Sequence, residues 1–213
     1  MIANIFIAII VSYLIGSIPT GLWLAKALKG IDIRTVGSGS TGGTNVTRVL
    51  GTGWGIGVII FDAIKGISSV VISTYFLSGF ENSRLLIVVA SLFSILGHVW
   101  TIFANFKGGK GIATSLGVLL ALLTIESLLA LTVFIIVFII FRIVSVSSLS
   151  AALALIFIVT AKYFYFHSYQ FNEFIVNLPF VLILNILVFY THRENIKRLL
   201  KGEEKKLELK KKV

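Results

Sequence analysis

Apolar residues run along this chain in long blocks separated by short polar segments. Residues 2–25, 54–79, 85–105, 146–166 and 174–191 each approach or exceed the roughly 20 helical residues that cross a hydrocarbon core. The apolar stretch 112–141 is too long for one crossing. Its weak break, Thr124-Ile125-Glu126-Ser127, reads as an outer turn and divides it into helices 112–123 and 127–141. The first of these is short, as expected of a helix buried among neighbours. The pattern predicts an all-α polytopic membrane protein with seven transmembrane helices. Residues 1–200 then form a single transmembrane domain, and 201–213 a basic tail.

Charge orients this arrangement. Lys26, Lys29, Arg34 and Arg48 follow the first block, Lys107 and Lys110 the third, Arg142 the fifth, and a lysine-rich tail the last. Positive loops stay cytoplasmic, so the N-terminus is expected outside and the C-terminus in the cytoplasm. The turn at Glu81, Asn82 and Ser83 and the segment His167–Glu173 then lie outside. Six crossings would strand the tail lysines outside, so the charge rule favours seven. Lys162, near the outer end of the sixth helix, is discordant and is expected to snorkel to the interface.

Composition narrows the function. The chain is 57% hydrophobic with a mean hydropathy of +1.00, which suits a bilayer rather than water. The net charge is +10, and many of the positives lie after His192, beside the bilayer, where they suit anionic lipid; no soluble domain offers nucleic acid a surface. No positive residue precedes the first apolar block, so no cleaved signal peptide is expected. Without cysteine there is no disulfide, thiolate zinc site or thiol nucleophile. With three histidines (His98, His167, His192) and no cluster of His, Asp and Glu, neither metal nor cofactor is expected, nor is an obligate protein partner.

Two glycine-rich segments carry candidate chemistry. Gly37-Ser38-Gly39-Ser40-Thr41-Gly42-Gly43-Thr44-Asn45 combines glycines, whose backbone can approach a ligand closely, with hydroxyl and amide groups. Arg48, three residues on, can fork onto a phosphate. Phe106-Lys107-Gly108-Gly109-Lys110-Gly111 opens a helix, and helix N-termini bind phosphate. It is not a nucleotide-binding P-loop: Ala104 stands where the first glycine belongs, and Gly111 where Ser or Thr does. Arg142, Ser145, Ser147 and Ser148 form a further turn, and His192, Asn195 and Arg198 share one helix face at spacing three. His98 lies within an apolar block, where ionisable groups mark function by default. Asp62 and Lys65, at i and i+3, read as a mutually compensating structural pair. Four segments thus bring phosphate-binding groups to one membrane face, and the implied ligand is an anion met at the cytoplasmic leaflet.

These motifs, in this order and spacing, resemble the bacterial acyl-phosphate:glycerol-3-phosphate acyltransferases, the PlsY family. The likeness covers nearly the whole chain. It rests on Gly16-Ser17-Ile18-Pro19-Thr20-Gly21, Arg34 through Gly51, Phe61-Asp62-Ala63-Ile64-Lys65-Gly66, Gly97-His98 through Thr114, Ser145, and His192-Arg193-Glu194-Asn195-Ile196. Ser40-Thr41-Gly42-Gly43 departs from the usual Asn-Pro-Gly-Ala, and Thr101 from the usual Pro, changes of loop stiffness more than of charge.

The resemblance implies acyl transfer from acyl phosphate to the 1-hydroxyl of glycerol 3-phosphate, giving 1-acylglycerol 3-phosphate and phosphate at the first step of phospholipid synthesis. It implies a multi-pass protein of the bacterial inner membrane with its active site on the cytoplasmic face. It implies catalytic roles for Ser38, Lys107, His192 and Asn195, and substrate binding by Thr44, Asn45, Arg48, His98, Gly108, Gly109, Lys110 and Ser145. Backbone N–H groups of the glycine loops, with Lys107 or Lys110, would stabilise the oxyanion and leaving phosphate. Arg48, Ser145 and His192 would hold glycerol 3-phosphate. Its hydroxyl proton would pass to the substrate's own phosphate or to a histidine. The dyad of soluble glycerolipid acyltransferases, His followed five residues later by Asp, is absent: Phe103, Asn172 and Lys197 occupy those positions.

Overall fold

A computed structural model describes residues 1–165 and 170–207. His167 and Ser168, assigned above to an outer connection, lie outside the described residues. Ten α-helices and two short 3-10 turns account for the regular structure there, with no strand among the described residues. Six segments are long and apolar enough to cross a membrane: Ile2–Lys29, Thr52–Leu77, Ser83–Ala104, Thr124–Phe141, Val144–Phe164 and Phe171–Thr191. Ile112–Leu122 is apolar but shorter. Its 11 residues rise about 17 Å, little more than half a hydrocarbon core.

The first apolar block is not one straight helix. It breaks after α1 (Ile2–Gly16) and resumes as α2 (Thr20–Lys29). Pro19 cannot donate a backbone hydrogen bond and disfavours helical geometry in the residue before it. After α3 (Gly43–Leu50), Gly51 at φ +101° turns the chain directly into α4 (Thr52–Leu77). Then come α5 (Ser83–Val99) and α6 (Ile112–Leu122).

The division of the 112–141 stretch is real but shifted. Leu123 breaks the helix, and Thr124–Ser127 forms the first turn of α7 (Thr124–Phe141) rather than a turn between helices. α8 (Val144–Phe164), α9 (Phe171–Thr191) and α10 (Arg193–Leu200) follow.

The helices form two compact units, residues 1–121 with Leu207, and residues 122–206. In the first, α1, α4 and α5 pack closely on small residues. A Cβ on Gly16 would lie 1.9 Å from the Ser94 carbonyl oxygen, and one on Gly97 would lie 2.3 Å from that of Tyr13. Such contacts let helix backbones approach in lipid, where apolar burial drives no association. Serines join the same helices, Ser12 to Ser73 at 3.3 Å and Ser69 to Ser94 at 2.9 Å. A separate apolar cluster of Leu22, Ala25, Ile33, Val46, Val58 and Ala104 anchors α2, α3 and the intervening loop.

Asp62 and Lys65 lie inside the first unit and meet at 2.7 Å, each side chain 3% exposed. Thr20 Oγ1 donates to Asp62 at 3.1 Å. Lys65 Nζ also reaches the carbonyl oxygens of Ile18 at 2.7 Å and Gly16 at 3.4 Å. The structural reading of this pair therefore gains a specific task. Lys65 satisfies acceptors that the α1–α2 break removes from the helical ladder.

In the second unit α8 packs between α7 and α9. Lys162 does not snorkel: its ammonium donates to the buried Glu126 carboxylate. Two intramembrane charges thereby neutralise each other. Tyr163 stacks on Phe174 with ring centroids 4.0 Å apart, joining α8 to α9.

Candidate active site

Most of the candidate residues lie in the first unit, in two loops and on the helices α3 and α5 that flank them. The earlier loop begins with a 3-10 turn, Ile33–Thr35, capped by Asp32, which accepts the Arg34 N–H at 2.9 Å. The Arg34 side chain grips the same carboxylate and reaches the Ala104 carbonyl oxygen at 2.9 Å, tying this loop to the later one. Hydrogen bonds from Arg34 hold the Asp32 carboxyl down at about 2. The contribution of this pair is therefore complete above the ordinary carboxylate range and is lost only as pH falls toward 2.

Asn45 organises the glycine segment from within. It is 1% exposed. Its Oδ1 accepts the Ser38 N–H at 2.7 Å, and its Nδ2 donates to the carbonyl oxygens of Ile33, Val36 and Ser40 at 2.9–3.0 Å. Gly37, at φ +66°, has no Cβ to fill the space that Oδ1 occupies. Asn45 thus spends its hydrogen-bonding capacity on the loop, which positions Ser38. Ser38 itself is exposed. Thr44 and Arg48 are half-buried and sit one turn apart on α3, so they share a face of that helix.

The later loop runs from Thr101 to Gly111. The Thr101 hydroxyl donates to the Ser17 carbonyl oxygen, fixing the loop's start against the α1–α2 break. Asn105 and Phe106 both take positive φ, and the chain then doubles back onto the end of α5. The Gly108 N–H donates to Val99 O and the Gly109 N–H to His98 O, each at 3.0 Å. These two N–H groups therefore build the loop and do not meet an oxyanion, contrary to the sequence-based expectation. The close approach leaves no room for side chains: a Cβ on Gly108 would lie 2.0 Å from His98 O, and one on Gly109 would lie 2.2 Å from His98 Nε2.

His98 is itself buried, with Nδ1 3.8 Å from Asp62 Oδ1. It forms the floor beneath the glycines, between them and the Asp62–Lys65 pair. On this floor the loop carries exposed Lys107 and half-buried Lys110 to the start of α6. The N–H groups of that helix's first turn lack helical acceptors, as at any helix start.

Ser145, His192 and Asn195 belong to the second unit. His192 joins α9 to α10 and is 2% exposed. Its Nδ1 lies 2.8 Å from the Val188 carbonyl oxygen. Since a carbonyl only accepts, Nδ1 carries the proton and Nε2 is the acceptor of the neutral ring. Ser145, in the first turn of α8, donates from Oγ to Glu204 Oε1 at 2.8 Å. Asn195 Nδ2 donates to the same oxygen at 2.5 Å, and Arg198 Nε to Oε2 at 2.7 Å.

Glu204 escapes sequence reasoning, which assigns it to a solvated tail. The available signal was Gly202, whose left-handed backbone (φ +70°) ends α10 and returns the chain toward Asn195. Ser147 and Ser148 bond back to the carbonyls of Ile143 and Val144, and Arg142 caps α7 in left-handed geometry. No group of three or more metal-binding side chains occurs among the described residues.

Known proteins share both the sequence and the fold. The family model for glycerol-3-phosphate acyltransferase matches residues 6–202. A glycerol-3-phosphate acyltransferase of Prochlorococcus marinus (strain MIT 9312) is 44% identical over 204 residues, covering 96% of this chain and 98% of the relative. One from Lawsonia intracellularis is 40% identical over 199 residues, covering 92% of each. The crystal structure of PlsY, an integral membrane glycerol 3-phosphate acyltransferase, in its glycerol 3-phosphate form superposes with a TM-score of 0.82 at 36% identity over 96% of both chains. Its lysophosphatidic acid form gives 0.79, at 36% identity over 95% of this chain and 94% of that one. With the motif loops and their cations placed on such a shared framework, this chain belongs to the glycerol-3-phosphate acyltransferase (PlsY) family.

Proposed function

We propose that the protein transfers a fatty acyl group from acyl phosphate to the 1-hydroxyl of glycerol 3-phosphate. The hydroxyl oxygen attacks the acyl carbonyl carbon, and the bond from that carbon to the phosphate oxygen breaks. Phosphate leaves with the electron pair, and 1-acylglycerol 3-phosphate remains. The hydroxyl proton ends on a phosphate oxygen or on His192 Nε2. Acyl phosphate is a mixed anhydride with a good leaving group, so the protein has mainly to orient reactants and stabilise charge.

The observation that carries this reading is the glycine loop laid on buried His98, which presents Lys107 and Lys110 without an intervening side chain at Gly108 or Gly109. On this reading Lys107 and Lys110 stabilise the carbonyl oxyanion and the leaving phosphate. Arg48 and Thr44 contribute to phosphate binding, and Ser38 acts beside them. Ser145, His192 and Asn195 serve glycerol 3-phosphate. The reaction needs no cofactor, and no obligate protein partner is proposed.

The deciding experiment is turnover by purified protein in detergent with each donor. Acyl phosphate is expected to support the reaction and acyl-CoA alone is not; equal rates with the two would defeat the reading. Arg48→Lys in the same assay keeps the charge but loses the planar fork. A drop of roughly 10- to 100-fold is expected, the worth of a charged hydrogen bond.

We place the protein in the bacterial inner membrane with seven crossings, α6 supplying the short one, and with the motif loops and C-terminus cytoplasmic. The basic residues of the loops and tail support that orientation. Cysteines introduced at Ser40 and at Asn82, in the turn between α4 and α5, are expected to label from opposite faces. Labelling of both from one face would break the topology.

A further inference from the structure

The second unit contains an anion site that is already occupied by the chain itself. Ser145 Oγ and Asn195 Nδ2 both lie within hydrogen-bond distance of Glu204 Oε1, at 2.8 and 2.5 Å, and Arg198 Nε holds Oε2 at 2.7 Å. Ser145 is 4% and Asn195 6% exposed, and the Glu204 side chain 6%. Two of the donors sit in first helical turns, Ser145 in α8 and Asn195 in α10, where the helix favours negative charge. The chain is folded into this position: Gly202 N–H donates to Leu199 O at 3.0 Å and Glu203 N–H to Arg198 O at 2.8 Å, which aims the next side chain inward.

We infer that Glu204 is a positioning residue for the glycerol 3-phosphate site. Its carboxylate commits the Ser145 hydroxyl proton, so that Ser145 meets substrate through its oxygen lone pairs, as an acceptor for a glycerol hydroxyl rather than a donor to phosphate. A carboxylate has no proton to give, so between these two oxygens the hydroxyl must donate. Burial raises the Glu204 pKa, but the hydrogen bonds from Asn195, Ser145 and Arg198 outweigh it and hold the group below its ordinary value, hence ionised at neutral pH. A phosphate could not share these donors with a resident anion without strong repulsion. Phosphate recognition then rests with cations other than Arg198. The inference rests on the proposed function only in taking glycerol 3-phosphate as the ligand.

The test uses full-length protein in detergent. It measures the calorimetric Kd of glycerol 3-phosphate and the KM of each substrate for wild type, Glu204→Ala, Glu204→Gln, Ser145→Ala, the Glu204→Ala/Ser145→Ala double variant and Glu203→Ala. Glu204→Ala is expected to raise Kd and KM for glycerol 3-phosphate about 10- to 100-fold, while KM for acyl phosphate stays unchanged. Glu204→Gln keeps an acceptor for Ser145 and is expected to recover most of that loss. The double variant is expected to be no worse than the weaker single one, because both changes remove one interaction. Glu203→Ala, an exposed neighbour, is expected to match wild type.

Tighter glycerol 3-phosphate binding by Glu204→Ala would overturn the inference by showing that the carboxylate competes with phosphate. So would unchanged binding, equal changes in both KM values, or full additivity with Ser145→Ala. Should Glu204→Ala fail to fold, Glu204→Met, which keeps the bulk and removes the acceptor, carries the same cycle with Ser145→Ala. Failure of wild type to turn over acyl phosphate would sink the donor assignment alone, since the calorimetric arm judges Glu204 without a donor.

Discussion

Gly108→Ala is expected to cost at least about 100-fold in acyl transfer, although it adds a single methyl group. The new Cβ would lie 2.0 Å from His98 O, 2.9 Å from Val99 O and 3.0 Å from Thr101 Cγ2. The two nearest atoms are backbone carbonyls at the end of α5, and no rotamer change can move them. They are also the acceptors for the Gly109 and Gly108 N–H groups. To clear the methyl group the loop must lift by about 1 Å or more and give up those hydrogen bonds. Lys107 and Lys110 ride on that loop, and a displacement of this size at reacting groups costs roughly 100-fold. Turnover of acyl phosphate normalised to folded protein is the measure. Gly57→Ala is the control, since its Cβ meets nothing within 4 Å. Near wild-type turnover by Gly108→Ala would show that the loop is not the rigid platform described here.

Asp62→Ala is expected to cost about 3–5 kcal/mol of stability, the usual consequence of leaving one member of a buried ion pair unpaired. Lys65 would keep its two backbone carbonyls but lose the charge it meets at 2.7 Å, in surroundings where its side chain is 3% exposed. His98 and Thr20 would lose their shared neighbour as well. For a chain of this length the loss corresponds to a fall in Tm of about 10 °C, read by thermal unfolding in detergent. Replacing both charges, Asp62→Leu with Lys65→Met, is expected to be less harmful than Asp62→Ala alone, because no buried charge is then left uncompensated. A single variant that melts with wild type would mean that water reaches the pair.

The helices were legible because lipid imposes one rule on all of them, and length and hydropathy state it directly. α4 and α9 begin and end within about three residues of the boundaries read from sequence. The Asp62–Lys65 pair was legible too, since two opposite charges one helical turn apart in hydrocarbon have few alternatives to each other. What hydropathy cannot carry is direction and depth. Lys162 looked like a charge seeking the interface because its partner, Glu126, lies 36 residues away and was read into a turn. Ser17 and Pro19 were absorbed into an apolar block whose average they barely alter, although a proline after Gly16-Ser17-Ile18 argued for a break.

Within the site, Lys107, Lys110 and Arg48 stood out by charge beside glycine. The division of labour around them did not. Asn45 and Gly109 look alike as polar-loop positions, yet one spends itself on carbonyls of its own loop and the other exists to leave space above His98. Glu204 stayed hidden because Gly202 marks where the chain turns back but not which of the following carboxylates turns inward.

The break between α1 and α2 also fixes an order of events during biogenesis. The Gly16 carbonyl lies near the middle of a 28-residue apolar stretch. In hydrocarbon an acceptor without a donor costs several kcal/mol. The ammonium that reaches this carbonyl, Lys65 Nζ at 3.4 Å, lies 49 residues farther along the chain. A nascent chain that has delivered only α1 to α3 therefore holds an entry helix with an unsealed joint. The joint is closed only when α4 brings Lys65 alongside, with Asp62 to neutralise it.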